Sequence, residues 1–148
     1  MEIYSTYSVK IKHFNNIFKQ TVSVYRDAVD FLIIVCLDEW FEMQQIDKNL
    51  ERQQYIEHLV HATKANPDVK YENFDKKFYK LPCYLRRAAI SEAMGKVSSY
   101  KSNLKNWEEE NPNTRGRKPS IPKAGFVYPC MYRVEMYKQI SDYEAKLK

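Results

Sequence analysis

In IYSTYSVKIKHF, residues 3–14, apolar and polar positions alternate: Ile3, Tyr7, Val9 and Ile11 fall on one side, Tyr4, Thr6, Ser8, Lys10 and Lys12 on the other. That period predicts a strand with one buried face. Asn15-Asn16 supplies a helix cap, and the period then lengthens to 3.6. Phe18, Val22, Tyr25, Val29, Leu32, Cys36, Trp40 and Met43 recur at steps of three or four, which predicts one helix of about 29 residues. Its central run FLIIVCL, 31–37, is apolar all round and is expected to be buried on more than one side. A second helix is expected from about Lys48 to Thr63, stopped by Asn66-Pro67. Residues 68–82 are polar-aromatic without a period. A third helix restarts at LPCYLRRAA with Pro82 near its first turn. NPNTRGRKPSIPKAG, 111–125, reads as a loop, and FVYPCMYRVEMYKQI and DYEAKLK read as strand-like segments interrupted by Pro129.

The third helix has an uneven surface. Leu85, Ala89, Ala93, Val97, Tyr100, Leu104 and Trp107 share one face. Arg87, Ser91, Met94, Ser98, Lys101, Ser102 and Lys105 gather on the other, within about 60° of Arg87 on a helical wheel. Glu92 lies about 140° away, so the helix does not neutralise this side with its own acid.

Charge sharpens the picture. The net charge is +5 over 148 residues, but residues 1–75 carry a net −4 and residues 76–123 a net +8, holding 12 of the 24 basic side chains. Such asymmetry points to a polyanionic partner, nucleic acid before an anionic membrane; the plainer reading is a lysine-rich solvated surface. Tyr79, Tyr84, Tyr128 and Tyr132 lie near the basic residues in sequence and are candidates for stacking on bases, with core packing as the ordinary role. The apolar fraction of 44% and the 3 glycines exclude a disordered or low-complexity chain. The longest apolar run is far too short to span a bilayer, and Met1 leads straight into a polar stretch without a signal sequence. Cys36, Cys83 and Cys130 are odd in number and lack CxxC spacing, so free thiols and a cytoplasmic location are expected.

Reactive constellations are sparse. His58 and His61 lie three apart, not the four of a helical metal pair, and read as surface histidines, as does His13. Asp38 and Glu42 have the spacing to share a metal ion, but with Asp30 and Glu39 they read better as a solvated acidic face. No phosphate-binding glycine loop or nucleophile elbow occurs. The chain alone is expected to bind rather than catalyse, with no cofactor.

LPCYLRRAAISEAMGKVSSYKSNLKNWEEENPNTRGRKP, followed by PCMYRVEMYKQI, resembles the N-terminal region of TnpB-like proteins of insertion sequences, the RNA-guided DNA endonucleases related to type V CRISPR effectors and often named transposases. The resemblance implies an α+β fold: residues 1–14 as the first strand of a wedge-type β-barrel, 15–110 as a helical recognition domain of three main helices, and 111–148 as a basic loop with the start of the returning wedge strands. It implies binding of a guide RNA and of target DNA, as duplex or RNA–DNA heteroduplex. The contacts would come from Arg86, Arg87, Ser91, Ser98, Lys101, Lys105, Arg115, Arg117, Lys118 and Lys123. The family's catalytic carboxylates, in a RuvC-like domain, and its four-cysteine zinc site lie downstream of this region and are not in this sequence. The expectation is therefore a front part that holds nucleic acid and partners the remainder of a nuclease, in the cytoplasm at the nucleoid. The competing expectation is a protein-interaction or self-associating module whose basic face docks on an acidic partner.

Overall fold

The computed structural model describes residues 16–129, 137–141 and 144–147. Five helices dominate it: α1 (Ile17–Asp38), α2 (Trp40–Gln44), α3 (Asn49–Val60), α4 (Asn73–Lys77) and α5 (Cys83–Glu109). Two short strands, β1 (Tyr137–Ser141) and β2 (Glu144–Leu147), pair antiparallel with Tyr137 opposite Leu147.

The long helix expected across 16–44 is present, but it is interrupted at Glu39, whose φ of −93° and ψ of 13° leave the helical region. Hydrogen bonding runs on through the break, since Glu39 N–H reaches the Val35 carbonyl and Met43 N–H the Glu39 carbonyl. Asn16 is the cap residue as expected, although its side chain makes no capping bond. Along α1 from Tyr25 to Cys36 the buried residues are Tyr25, Ala28, Val29, Leu32, Ile33, Val35 and Cys36, with Ala28, Val29, Leu32 and Cys36 completely buried. They meet the face of α5 formed by Ala88, Ala89, Ile90, Ala93 and Val97. Three small alanines on α5 opposite branched residues on α1 let the two longest helices pack closely, and burial of each branched side chain contributes about 2 kcal/mol. α3 closes this pair with Ile56 and Val60.

The stretch 68–82 is not irregular throughout. It holds α4, whose Phe74 is buried and meets Phe31 edge-on at 5.5 Å and Phe78 at 4.9 Å. Those three rings plug the core beneath the start of α5. On α5 itself Met94, placed by the wheel with the basic side, is buried, because α2 and α3 cover an edge of the helix that its own sequence marks as half polar.

The incomplete wedge-type barrel is not found: among the described residues the one sheet is the β1–β2 hairpin. The chain after 111, expected to return to a barrel, instead folds back along the helices. The Ala124 N–H donates to Asp30 Oδ1 at 2.6 Å, and Arg26 Nε to the Val127 carbonyl at 2.9 Å. The Arg26 guanidinium lies between the Phe126 and Tyr128 rings, 5.7 and 4.9 Å from their centroids. Gly125, with φ at +63°, makes the turn between these anchors. The strand expected at 3–14 lies outside the described residues, as do Tyr132 and Cys130. The fold is a helical bundle with a small hairpin.

Candidate functional site: the two sides of α5

Part of the basic side of α5 is engaged within the fold. Arg86 is buried and donates from Nε and Nη2 to Glu57 Oε1 at 3.1 and 3.0 Å. Arg87 donates from Nε to Glu57 Oε2 at 2.9 Å, and this carboxylate holds the Arg87 guanidinium above its ordinary pKa. Ser91 Oγ accepts from the Gln53 side chain at 2.9 Å, and the same amide reaches the Arg87 carbonyl. Lys101 Nζ sits 5.9 Å from the Trp40 ring centroid, and Lys105 lies 3.8 Å from Glu109. In the loop, Arg115 stacks 3.9 Å over Trp107, with Lys118 at 5.7 Å, while the indole N–H donates to the Gly116 carbonyl at 2.7 Å. Ser98, Arg117 and Lys123 are exposed. Of the ten residues named for nucleic-acid contact, Arg86, Arg87 and Ser91 are thus tied to α3, and Arg115 and Lys118 to the end of α5.

The sequence places Glu39 on a solvated acidic face with Asp30, Asp38 and Glu42. It is instead buried, accepting from Tyr55 Oη at 2.7 Å, Tyr71 Oη at 2.6 Å and Lys70 Nζ. Burial pushes its carboxyl up, but the hydrogen bonds from Lys70, Tyr71 and Tyr55 and the Lys70 charge outweigh this, leaving it below its ordinary value. The cluster pins the α1–α2 break to α3 and to the segment before α4. Asp38, Asp30 and Glu42 are exposed, and among the described residues no group of three His, Cys, Asp or Glu side chains is arranged to hold a metal. His61 is no free surface histidine either: Nδ1 faces Asp75 at 2.9 Å, and Asp75 also takes the Ala62 N–H at the end of α3.

Among the described residues, clefts open along α5. The first, about 410 Å³, lies between α5 and α2–α3 and is lined by Trp40, Met43, Leu50, Gln53, Met94 and Ser98 among others. The second, about 530 Å³, lies on the other flank, between α5 and Pro119, Ser120 and Pro122. Ser91 and Gly95 line both, so a line of small residues, Ser91, Gly95 and Ser99, stands between the two hollows. A third cleft, about 320 Å³, lies at the start of α5 and is lined by Glu57, His58, His61, Thr63, Asn66, Arg86 and Arg87. Sequence reading found Ser91 and Ser98 but assigned them to phosphate contact. It missed Gly95, whose signal was available: a lone glycine in the middle of a long helical pattern.

Comparison with known proteins does not support the nuclease reading. Residues 5–148 match the model of the Aq_aa04 family. A relative from Aquifex aeolicus, the uncharacterized protein aq_aa04, is 30% identical over 121 residues, covering 79% of this chain and 67% of its own length. No solved structure matches. The resemblance to TnpB-like proteins is set aside on two grounds: the matching family is a different one, and the barrel that would carry guide RNA and target DNA is not formed by the described residues. The expectation of RNA and DNA binding by a wedge and recognition domain falls with it. No described helix is long and apolar enough to cross a membrane.

Proposed function

The chain belongs to the Aq_aa04 family, and we propose that it acts by association, docking the outer face of α5 on the same face of a second copy. The observation that carries this is Gly95. Among the described residues a Cβ built there would meet nothing within 4 Å, so the described part of the fold makes no use of the glycine. Glycine in a helix interior costs about 1 kcal/mol relative to alanine. What a missing side chain does allow is close approach of another backbone.

The surroundings support that use. Ser91, Gly95 and Ser99 follow one another at four-residue steps and are exposed, forming a low ridge, and the clefts on both flanks give room for the larger side chains of an opposing helix. Leu50 and Phe41, 58% and 73% exposed, stand by the first cleft or next to its Trp40 wall and are the apolar groups it would cover. The line itself carries no charge, so a two-fold pairing places no like charges on each other at its centre. An antiparallel pair centred on Gly95 sets Ser91 against Ser99 of the other copy. This differs from a basic face seeking an acidic partner, for which the arginines are already occupied. The function is binding and not catalysis, and a cytoplasmic location suits the free thiols Cys36 and Cys83.

Sedimentation equilibrium tests this directly. The wild-type chain is expected to dimerise, and Gly95→Arg to remain a monomer with the same helical circular dichroism. A wild type that stays monomeric over a wide concentration range, or a Gly95→Arg variant that dimerises equally well, overturns it.

A further inference from the structure

We propose that the cleft at the start of α5 is an oxyanion site that takes the phosphate monoester group of a small ligand. It lies between α3, the turn at 61–66 and the first turns of α5, with Glu57, His58, His61, Thr63, Asn66, Arg86 and Arg87 as its lining. It adjoins the α5 docking face, since Arg87 lies one turn before Ser91, but rests on separate observations.

Charge counting comes first. Two guanidinium groups share one carboxylate, Glu57, which receives three bonds between 2.9 and 3.1 Å. The lining therefore holds one positive charge in excess. Asp75 does not line the cleft and is engaged with His61 and the Ala62 N–H. Arg86 is 8% exposed, and a buried guanidinium is costly unless its charge and donors are met. Glu57 accepts from Arg86 twice but divides its single charge with Arg87.

Donor geometry comes second. Glu57 uses Nε of Arg87, so the two Nη amines of that fork have no partner among the described residues, and the side chain is 44% exposed. The His58 imidazole also lacks a side-chain partner among the described residues. The Thr63 oxygen accepts the Asn66 N–H, which leaves its hydroxyl proton to donate. The guanidinium fork by itself matches a carboxylate or a phosphate; the imidazole and the hydroxyl that line the same hollow add donors for the further oxygens that a phosphate has and a carboxylate lacks. The volume, about 320 Å³, is at the small end of ligand pockets and suits a phosphate on a compact body.

Isothermal titration with inorganic phosphate and with glycerol phosphate tests the site, using sodium chloride and succinate at matched ionic strength as controls. Saturable phosphate binding is expected, about tenfold or more weaker in Arg87→Gln. His58→Ala, which leaves both Glu57 pairs intact, is expected to weaken it as well, so loss of fold cannot mimic the result. No heat beyond the chloride control overturns the proposal, as does binding unchanged in both variants. Succinate binding as tightly as phosphate overturns the assignment to phosphate.

Discussion

Glu39 shows what a single residue can hide. Its neighbours Asp38 and Glu42 are solvated, and a linear count of acids puts all of them on one outer face. The structure turns Glu39 inward because three donors, Tyr55, Tyr71 and Lys70, arrive from elements far along the chain. Its carboxyl is held below its ordinary value of 4.5. The stability it contributes is therefore present above the unfolded-state value and is lost as pH falls through the lower folded one. Tyr55 has the opposite sign: burial, then the hydrogen bond and charge of Glu39, push its phenol from 10.0 up to about 12. That contribution is present below pH 10 and is lost as pH rises from there to about 12. Denaturant titrations across pH are expected to show both limbs. Glu39→Gln should flatten the acid limb and cost about 2 kcal/mol at neutral pH, since buried donors lose a charged acceptor. An unchanged acid limb would remove Glu39 from its assigned role. The arginines carry the same lesson. The sequence shows Arg87 on a side of α5 without acids, but Glu57, the carboxylate that it shares with Arg86, comes from α3, and a helical wheel has no place for a neighbour's side chain.

At the scale of elements, α1, α3 and α5 were legible because each repeats its apolar positions over three turns or more, and the core of α1 appears where the period puts it. α4 was not legible: a helix of 5 residues has no period to read, and Phe74 and Phe78 acquire meaning only beside Phe31. The break at Glu39 was equally invisible, since the apolar period passes through it and only a tertiary hydrogen-bond cluster marks it. The basic loop is the instructive case. Its composition, proline-rich and cationic, is that of a free arm, yet Trp107 at the end of α5 gathers it through the Gly116 carbonyl and the Arg115 stack. Indole is the aromatic ring most favourable to a cation, so Trp107→Ala should release the loop. Trypsin is expected to cut after Arg115 or Arg117 several-fold faster in that variant, with α5 unaltered by circular dichroism. Equal cleavage rates would mean the loop is not held there. Gly95 also belongs to this scale. In the monomer, Gly95→Ala should stabilise by about 1 kcal/mol in thermal or chemical unfolding, because the methyl enters open space on a helix.

For the whole molecule, the division of charge changes its meaning once the chain is folded. A net −4 over residues 1–75 and a net +8 over 76–123 looked like an address for an external polyanion. Part of that asymmetry is consumed inside, where Glu57 of the acidic half meets Arg86 and Arg87 of the basic half, and Asp30 holds the backbone at Ala124. The two halves are joined by the same α1–α5 core that excludes water from Cys36, which is fully buried with its thiol pushed up to about 12. Cys83, at the start of α5, is exposed. In a Cys130→Ser background, a thiol reagent at neutral pH should therefore modify Cys83 at once and Cys36 only through unfolding. If the bundle is one cooperative unit, the Cys36 rate will track global stability: denaturant should accelerate it with the dependence of full unfolding, and Gly95→Ala should slow it. A Cys36 that reacts at a rate indifferent to both would mean that α1 parts from α5 locally, and the charge pairs across the halves would then be surface contacts and not the closure of a single core.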